Sequence, residues 1–128
     1  MNKSIEEEIV RYYIKENKQK RILWELNSPK KRKDIIWKFA GTDLFKMQHM
    51  KATRFLSATS LKEHLFQVSK NQTVYFLGED YIGQLSITQA VQRALQGEAC
   101  IIYCGQGYGY YQGEQVSGSP PRYFLVAE

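Results

Sequence analysis

Long apolar runs are missing from this 128-residue chain. The longest, Ala99 to Cys104, falls far short of the roughly 20 residues a helix needs to cross a bilayer. The opening stretch, MNKSIEEEIVRYY, carries charge where a secretory signal needs its apolar core, so the expected location is the cytoplasm. Cysteine is scarce, with only Cys100 and Cys104. On a strand, residues four apart share a face but stand roughly 13 Å apart at about 3.3 Å per residue. A disulfide tolerates about 7 Å between Cα atoms, so both thiols are expected reduced, as small hydrophobes of a central strand.

Histidine is equally scarce. His49 and His64 give no zinc-ligand spacing with the cysteines, and no metal or cofactor is expected. Nor do they assemble into a Ser–His–Asp or Cys–His set. His64 precedes Leu65 on an amphipathic segment and reads as a structural or surface residue. Glu79 and Asp80 are adjacent, which suits a turn better than a carboxylate pair. The expectation is a protein without catalysis. Internal repeats and linkers are also lacking, so residues 1–128 read as one domain.

What is present is a globular composition, 43% hydrophobic and 24% charged, long enough to bury a core. Net charge is +5 and unevenly placed. Residues 1–54 hold 14 Lys/Arg against 7 Asp/Glu, whereas residues 55–128 hold 4 against 6. The first half therefore carries the positive field.

Residues 4–26 have helical signals, with Ser4 as cap, Glu6 to Glu8 at the positive end and apolar stripes at Ile5, Ile9, Tyr12, Tyr13 and at Ile22, Leu23, Leu26. Between the stripes, KENKQKR is a solvated bridge within one helix or a break between two. Ser28 and Pro29 predict a second helix over 29–40, closed by Gly41, with Ile35, Ile36 and Phe39 inward. Residues 41–59 show no sustained period. Ser60 and Glu63 predict a capping box and a helix to about Lys70; Ser86 and Gln89 predict another for Ile87 to Gln96. Strands are predicted at 73–78, 99–104, 108–112 and 122–127. The fold class is α+β: an N-terminal helical hairpin and a third helix on a small mixed four-stranded sheet, with a β-α-β-β-β second half and a right-handed crossover. Residues 1–70 are mainly helical and basic; residues 71–128 form the sheet.

Two stretches carry functional weight. In NSPKKRKDIIWKFAG, Lys30, Lys31, Arg32 and Lys33 crowd a predicted helix start, where the dipole already presents positive charge. Free N–H groups with cations make an anion site, and the four side chains should be exposed on the same side as Lys20 and Arg21. Arg11, Lys15, Lys18, Lys20, Arg21 and Lys38 enlarge this patch if the helices lie side by side. The competing reading is a solvated face eased by Glu25 and Asp34. The second stretch, GQGYGYYQG (105–113), has the glycines of a phosphate loop but runs into a Tyr-rich strand rather than a helix. Gly107-Tyr108-Gly109-Tyr110 is similar to the centre of the third-strand pattern of the RNA-recognition motif. Gln106 stands where that pattern has a basic residue, Tyr111 where it has an aliphatic one and Gly113 where it has an aromatic. GEQVSGSPP leaves no room for that family's second helix. The stretch reads instead as a hairpin whose glycines serve turns.

These features imply a small binding or regulatory protein that engages an acidic macromolecule, nucleic acid or protein, through its basic helices. A Tyr-rich surface at Tyr108, Tyr110 and Tyr111 supports the alternative of a protein–protein module, such as an immunity- or antitoxin-like inhibitor.

Overall fold

The computed structural model describes residues 2–53, 57–114 and 120–126. The first helix, α1 (Lys3–Tyr13), is capped by Asn2 rather than Ser4: the Asn2 side chain accepts the Ile5 N–H at 3.1 Å. The helix breaks at Ile14 and Lys15, and the polar stretch itself is helical from Glu16. Ile14 and Lys15 are extended, and α2 (Glu16–Leu26) starts anew. The cause lies in the segment read as irregular. Ile14 bridges Phe45, Lys15 N–H donates to the Leu44 carbonyl at 2.9 Å, and Lys46 N–H to that of Tyr13 at 2.6 Å. At this helix end the Arg11 carbonyl accepts from the Gln19 amide and the Lys46 ammonium, and the Ile14 carbonyl from Gln19.

The basic helix starts later than Ser28-Pro29 predicts. The Ser28 carbonyl accepts the N–H groups of Lys31 and Arg32 at 3.1 and 2.9 Å, closing a turn, and α3 spans Arg32–Lys38. Lys30 and Lys31 lie in that turn. The next helix, α4 (Ala58–Val68), is capped by a Ser57–Ser60 box instead of Ser60–Glu63, whereas the Ser86–Gln89 box does open α5 (Ile87–Leu95).

The sheet is larger than expected and entirely antiparallel. Its six strands are β1 (Met50–Thr53), β2 (Thr73–Gly78), β3 (Ile82–Ser86), β4 (Cys100–Gly105), β5 (Tyr108–Gln112) and β6 (Arg122–Leu125), in the order β1-β6-β5-β4-β2-β3. The mixed four-stranded sheet is thus corrected. Glu79 and Asp80 turn β2 into β3, and α5 then returns the chain to β4, which lies antiparallel beside β2. No parallel crossover is formed between these strands.

Helices cover both faces. On one side Tyr75, Leu77, Ile101, Tyr103, Tyr111 and Leu125 pack with Ile9, Val10 and Tyr13 of α1, Ile22 and Leu26 of α2, and Ile35 and Ile36 of α3. On the other, Val74, Phe76, Cys100, Ile102 and Tyr110 pack with Leu61 and Leu65 of α4 and Ile87, Ala90, Val91 and Ala94 of α5. The central strands are apolar on both faces for this reason. Cys100 is buried and Cys104 half-buried, both as free thiols that burial pushes up, Cys104 to about 12. No described helix is long and apolar enough to cross a membrane.

Candidate functional site

The cations singled out by the sequence fall on one run of helices. Arg11 lies near the end of α1, Lys15 in the break, Lys18, Lys20 and Arg21 on α2, Lys30 and Lys31 in the turn, and Arg32, Lys33 and Lys38 on α3. All are exposed except Arg32. Arg21 approaches Glu25 at 3.7 Å, one turn on, and its side chain stays open to solvent.

Arg32 must be taken out of the binding patch. Its guanidinium forks onto buried Glu6, with Nη1 and Nη2 each 2.6 Å from a carboxylate oxygen, and Nη1 also donates to the Leu26 carbonyl at 3.0 Å. Glu6 further accepts the Tyr75 hydroxyl at 2.5 Å, and that hydroxyl accepts the Asn2 N–H at 3.2 Å. The bond to Glu6 holds the Arg32 pKa above its ordinary value; burial, then Glu6, push the Tyr75 phenol up to about 12. This cluster pins the start of α3 to α1 and the sheet, so one of the four cations is structural. The anion site expected at the helix start is also revised. At seven residues α3 has little macrodipole, and its first residue is the paired Arg32.

The sequence reading missed the two tryptophans. Trp24 is 63% exposed and Trp37 60%. The signal was present: each lies off the apolar stripe of its helix, beside Ile22 and Leu26 in one case and Ile35 and Ile36 in the other. Lys20 and Trp24 are one helical turn apart on α2, as are Lys33 and Trp37 on α3, so each ring shares a face with a lysine. The two helices pack against each other. Trp37 also lines a cleft of about 500 Å³ between α3 and the β2–β3 turn, with Lys33 and Ile36 on one side and Glu79, Asp80 and Ile82 on the other.

The proposed tyrosine surface does not exist as drawn. Tyr110 and Tyr111 are both 0% exposed, on opposite faces of a doubly covered sheet, and only Tyr108 reaches solvent. Tyr111 donates to the Phe39 carbonyl at 2.7 Å, closing the end of α3, and Tyr110 donates to Gln112 at 2.9 Å. Gln112 in turn donates to the carbonyls of Ala94 and Glu98 at 2.7 and 3.0 Å, which ties down the end of α5. Tyr103 donates to Glu8 and accepts the Gly107 N–H. These phenols are interior struts.

Glu79 and Asp80 also border a second cleft, lined by Arg93, Glu98 and Glu114. Glu98 pairs with Arg93 at 3.1 Å, and Arg93 lies over the rings of Phe76 and Tyr81. Partial burial, then the negative charge of Glu114, Asp80 and Glu98, raise the Glu79 pKa from its ordinary value. His64 stacks on Phe124 at 3.8 Å, and burial lowers its pKa. Among the described residues no three His, Cys, Asp or Glu side chains are grouped to hold a metal ion. Comparison of the chain with protein-family models, with curated proteins and with solved structures gives no match.

Proposed function

We propose that the protein is a non-catalytic binder of single-stranded nucleic acid, with α2, the turn before α3, and α3 as its contact surface. The observation that carries this reading is the pairing of two exposed tryptophans with lysines one turn away, on adjacent helices of the strongly basic half. Lysines attract a phosphate backbone, and an exposed indole offers a face on which any base can stack. An acidic protein would use the cations but gains less from the rings, which is why nucleic acid is preferred over the broader class of acidic partners. Lys18, Lys20, Arg21, Lys30, Lys31, Lys33 and Lys38 supply the charge; Arg11 and Lys15 flank it.

Trp24 and Trp37 are the only two tryptophans, so tryptophan emission, excited selectively at the red edge where tyrosine does not absorb, reports on this surface. Adding a mixed-sequence single strand of roughly 12 nucleotides at low salt is expected to quench it. In anisotropy measurements with a labelled strand, Trp24→Ala and Trp37→Ala should each weaken binding by about 5- to 100-fold, the range for loss of one stacked base. No quenching together with no anisotropy change would overturn the reading.

A further inference from the structure

The cleft beside Trp37 has an unusual distribution of charge for a surface that attracts phosphates. Its α3 wall offers Lys33 and the indole of Trp37, with Ile36 behind them; the opposite wall is Glu79, Asp80 and Ile82. Arg32 also reaches the cleft, but its charge is committed to Glu6 through two 2.6 Å bonds. One open cation therefore faces two carboxylates. A phosphate seated deep in the cleft would meet Glu79 and Asp80 and be repelled. Ionised carboxylates can only accept hydrogen bonds. The cleft thus suits a flat, uncharged group that brings N–H donors.

A nucleobase is such a group, and the four differ in what they offer. Guanine places N1–H and N2–H2 side by side on its Watson–Crick edge, two parallel donors that match the two oxygens of one carboxylate. Adenine and cytosine each pair one amino donor with an acceptor on that edge, and uracil has a single N–H between two carbonyls. A volume of about 500 Å³ lies within the range for small-ligand sites of roughly 300–1,000 Å³, ample for one base and its ribose.

We propose that this cleft is a guanine-selective base pocket within the nucleic-acid surface, with the base stacked on Trp37, its Watson–Crick edge on Glu79 and Asp80, and Lys33 on the adjoining phosphate. The inference rests on the nucleic-acid reading above and adds a base preference to it. Lys33 and Trp37 are one turn apart on α3, so stacking and phosphate contact come from the same helix face. The acceptors come from the β2–β3 turn, where the Asp80 N–H donates to Glu98 at 3.3 Å and so fixes the loop against α5's C-terminal side.

The test uses oligouridines of about nine nucleotides that carry G, A, C or U at the centre, bound to the full chain and to an E79Q/D80N variant whose folding is checked by circular dichroism. The central-G strand is expected to bind wild type about five- to tenfold more tightly than the other three, the lower part of the range for one good bidentate base contact. In E79Q/D80N the ratio should fall close to one. Four equal affinities for wild type would overturn the guanine pocket while leaving the nucleic-acid surface standing, as would a ratio that survives in the variant. Failure of all four strands to bind would overturn both. Guanosine monophosphate, which brings the base and a single phosphate but not the rest of the strand for the helices to hold, should compete at least about tenfold more weakly than the central-G strand; equal competition would contradict the assignment to a strand.

Discussion

Glu6 and Arg32 show how a single residue can change its meaning between sequence and structure. In the sequence Arg32 is one of four consecutive cations, and Glu6 one of three consecutive acids. In the fold they are a bidentate pair, with side-chain exposures of 16% and 4%, roofed by the Tyr75 hydroxyl. Removing one partner leaves a buried charge uncompensated, so Glu6→Gln is expected to lower stability by about 3–5 kcal/mol in urea unfolding. Replacing both, as Glu6→Leu with Arg32→Met, should cost less than the single change. A Glu6→Gln variant as stable as wild type would contradict the structural role. His64 provides a second residue-scale case. Burial lowers its pKa in the folded chain, so below the unfolded value of 6.5 the unfolded chain binds more protons. Its contribution is fully present above that pH and is lost as pH falls through the lower folded value. His64→Phe, which keeps a ring on Phe124, should therefore lose less melting temperature than wild type between neutral and mildly acidic pH. The tryptophans were legible at this scale from their positions off the apolar stripes. The identity of the one structural cation was not, because Glu6 is 26 residues away and only the packing brings it near.

At the scale of elements, local chemistry decided what could be read. Strands β2 and β5 coincide with the predicted 73–78 and 108–112, and the Ser86–Gln89 box opens α5, because apolar content and capping are encoded nearby. Strand β1 was missed since only Met50 of its four residues is buried, and β3 since its five residues, IGQLS, are only partly covered at the sheet edge. β1 is held by β6, distant in sequence, whereas β3 is the hairpin partner of β2 and was missed because IGQLS, with Gly83 inside it, offers no apolar alternation. The tyrosines failed for a related reason: alternation says which residues share a face, not whether a helix covers it. Helices on both faces bury Tyr110 and Tyr111 alike. The close pairing of β4 and β5 makes a sharp prediction. A Cβ at Gly109 would lie 2.2 Å from the Ile102 carbonyl oxygen, a backbone atom that cannot move without parting the strands. At Gly78 the corresponding obstacle is the Glu98 carboxylate at 2.4 Å, the end of a side chain, together with the Phe76 ring. Gly109→Ala should cost about 1–3 kcal/mol or more, and more than Gly78→Ala, in paired denaturation curves. The reverse order would show that the β4–β5 contact is looser than the structure has it.

The molecule as a whole divides its labour between its two halves. The second half supplies most of the sheet and the helices of one face; the first supplies α1 to α3 on the other face and most of the positive charge. That asymmetry was legible from a count of charges, and the exposed lysines of α2, the turn and α3 give it a location. None of Lys20, Lys30, Lys31 and Lys33 belongs to the buried core, so changing all four to Gln should leave the fold intact. The most direct measurement is the dependence of single-strand affinity on salt, for wild type and for this quadruple variant. Each phosphate neutralised on a single strand contributes about −0.7 to the slope of log affinity against log salt. Wild type is expected to bind with a steep negative slope, and the variant more weakly with a slope shallower by about 2–3. Equal slopes and equal affinities at every salt concentration, or no binding by wild type at low salt, would contradict the account.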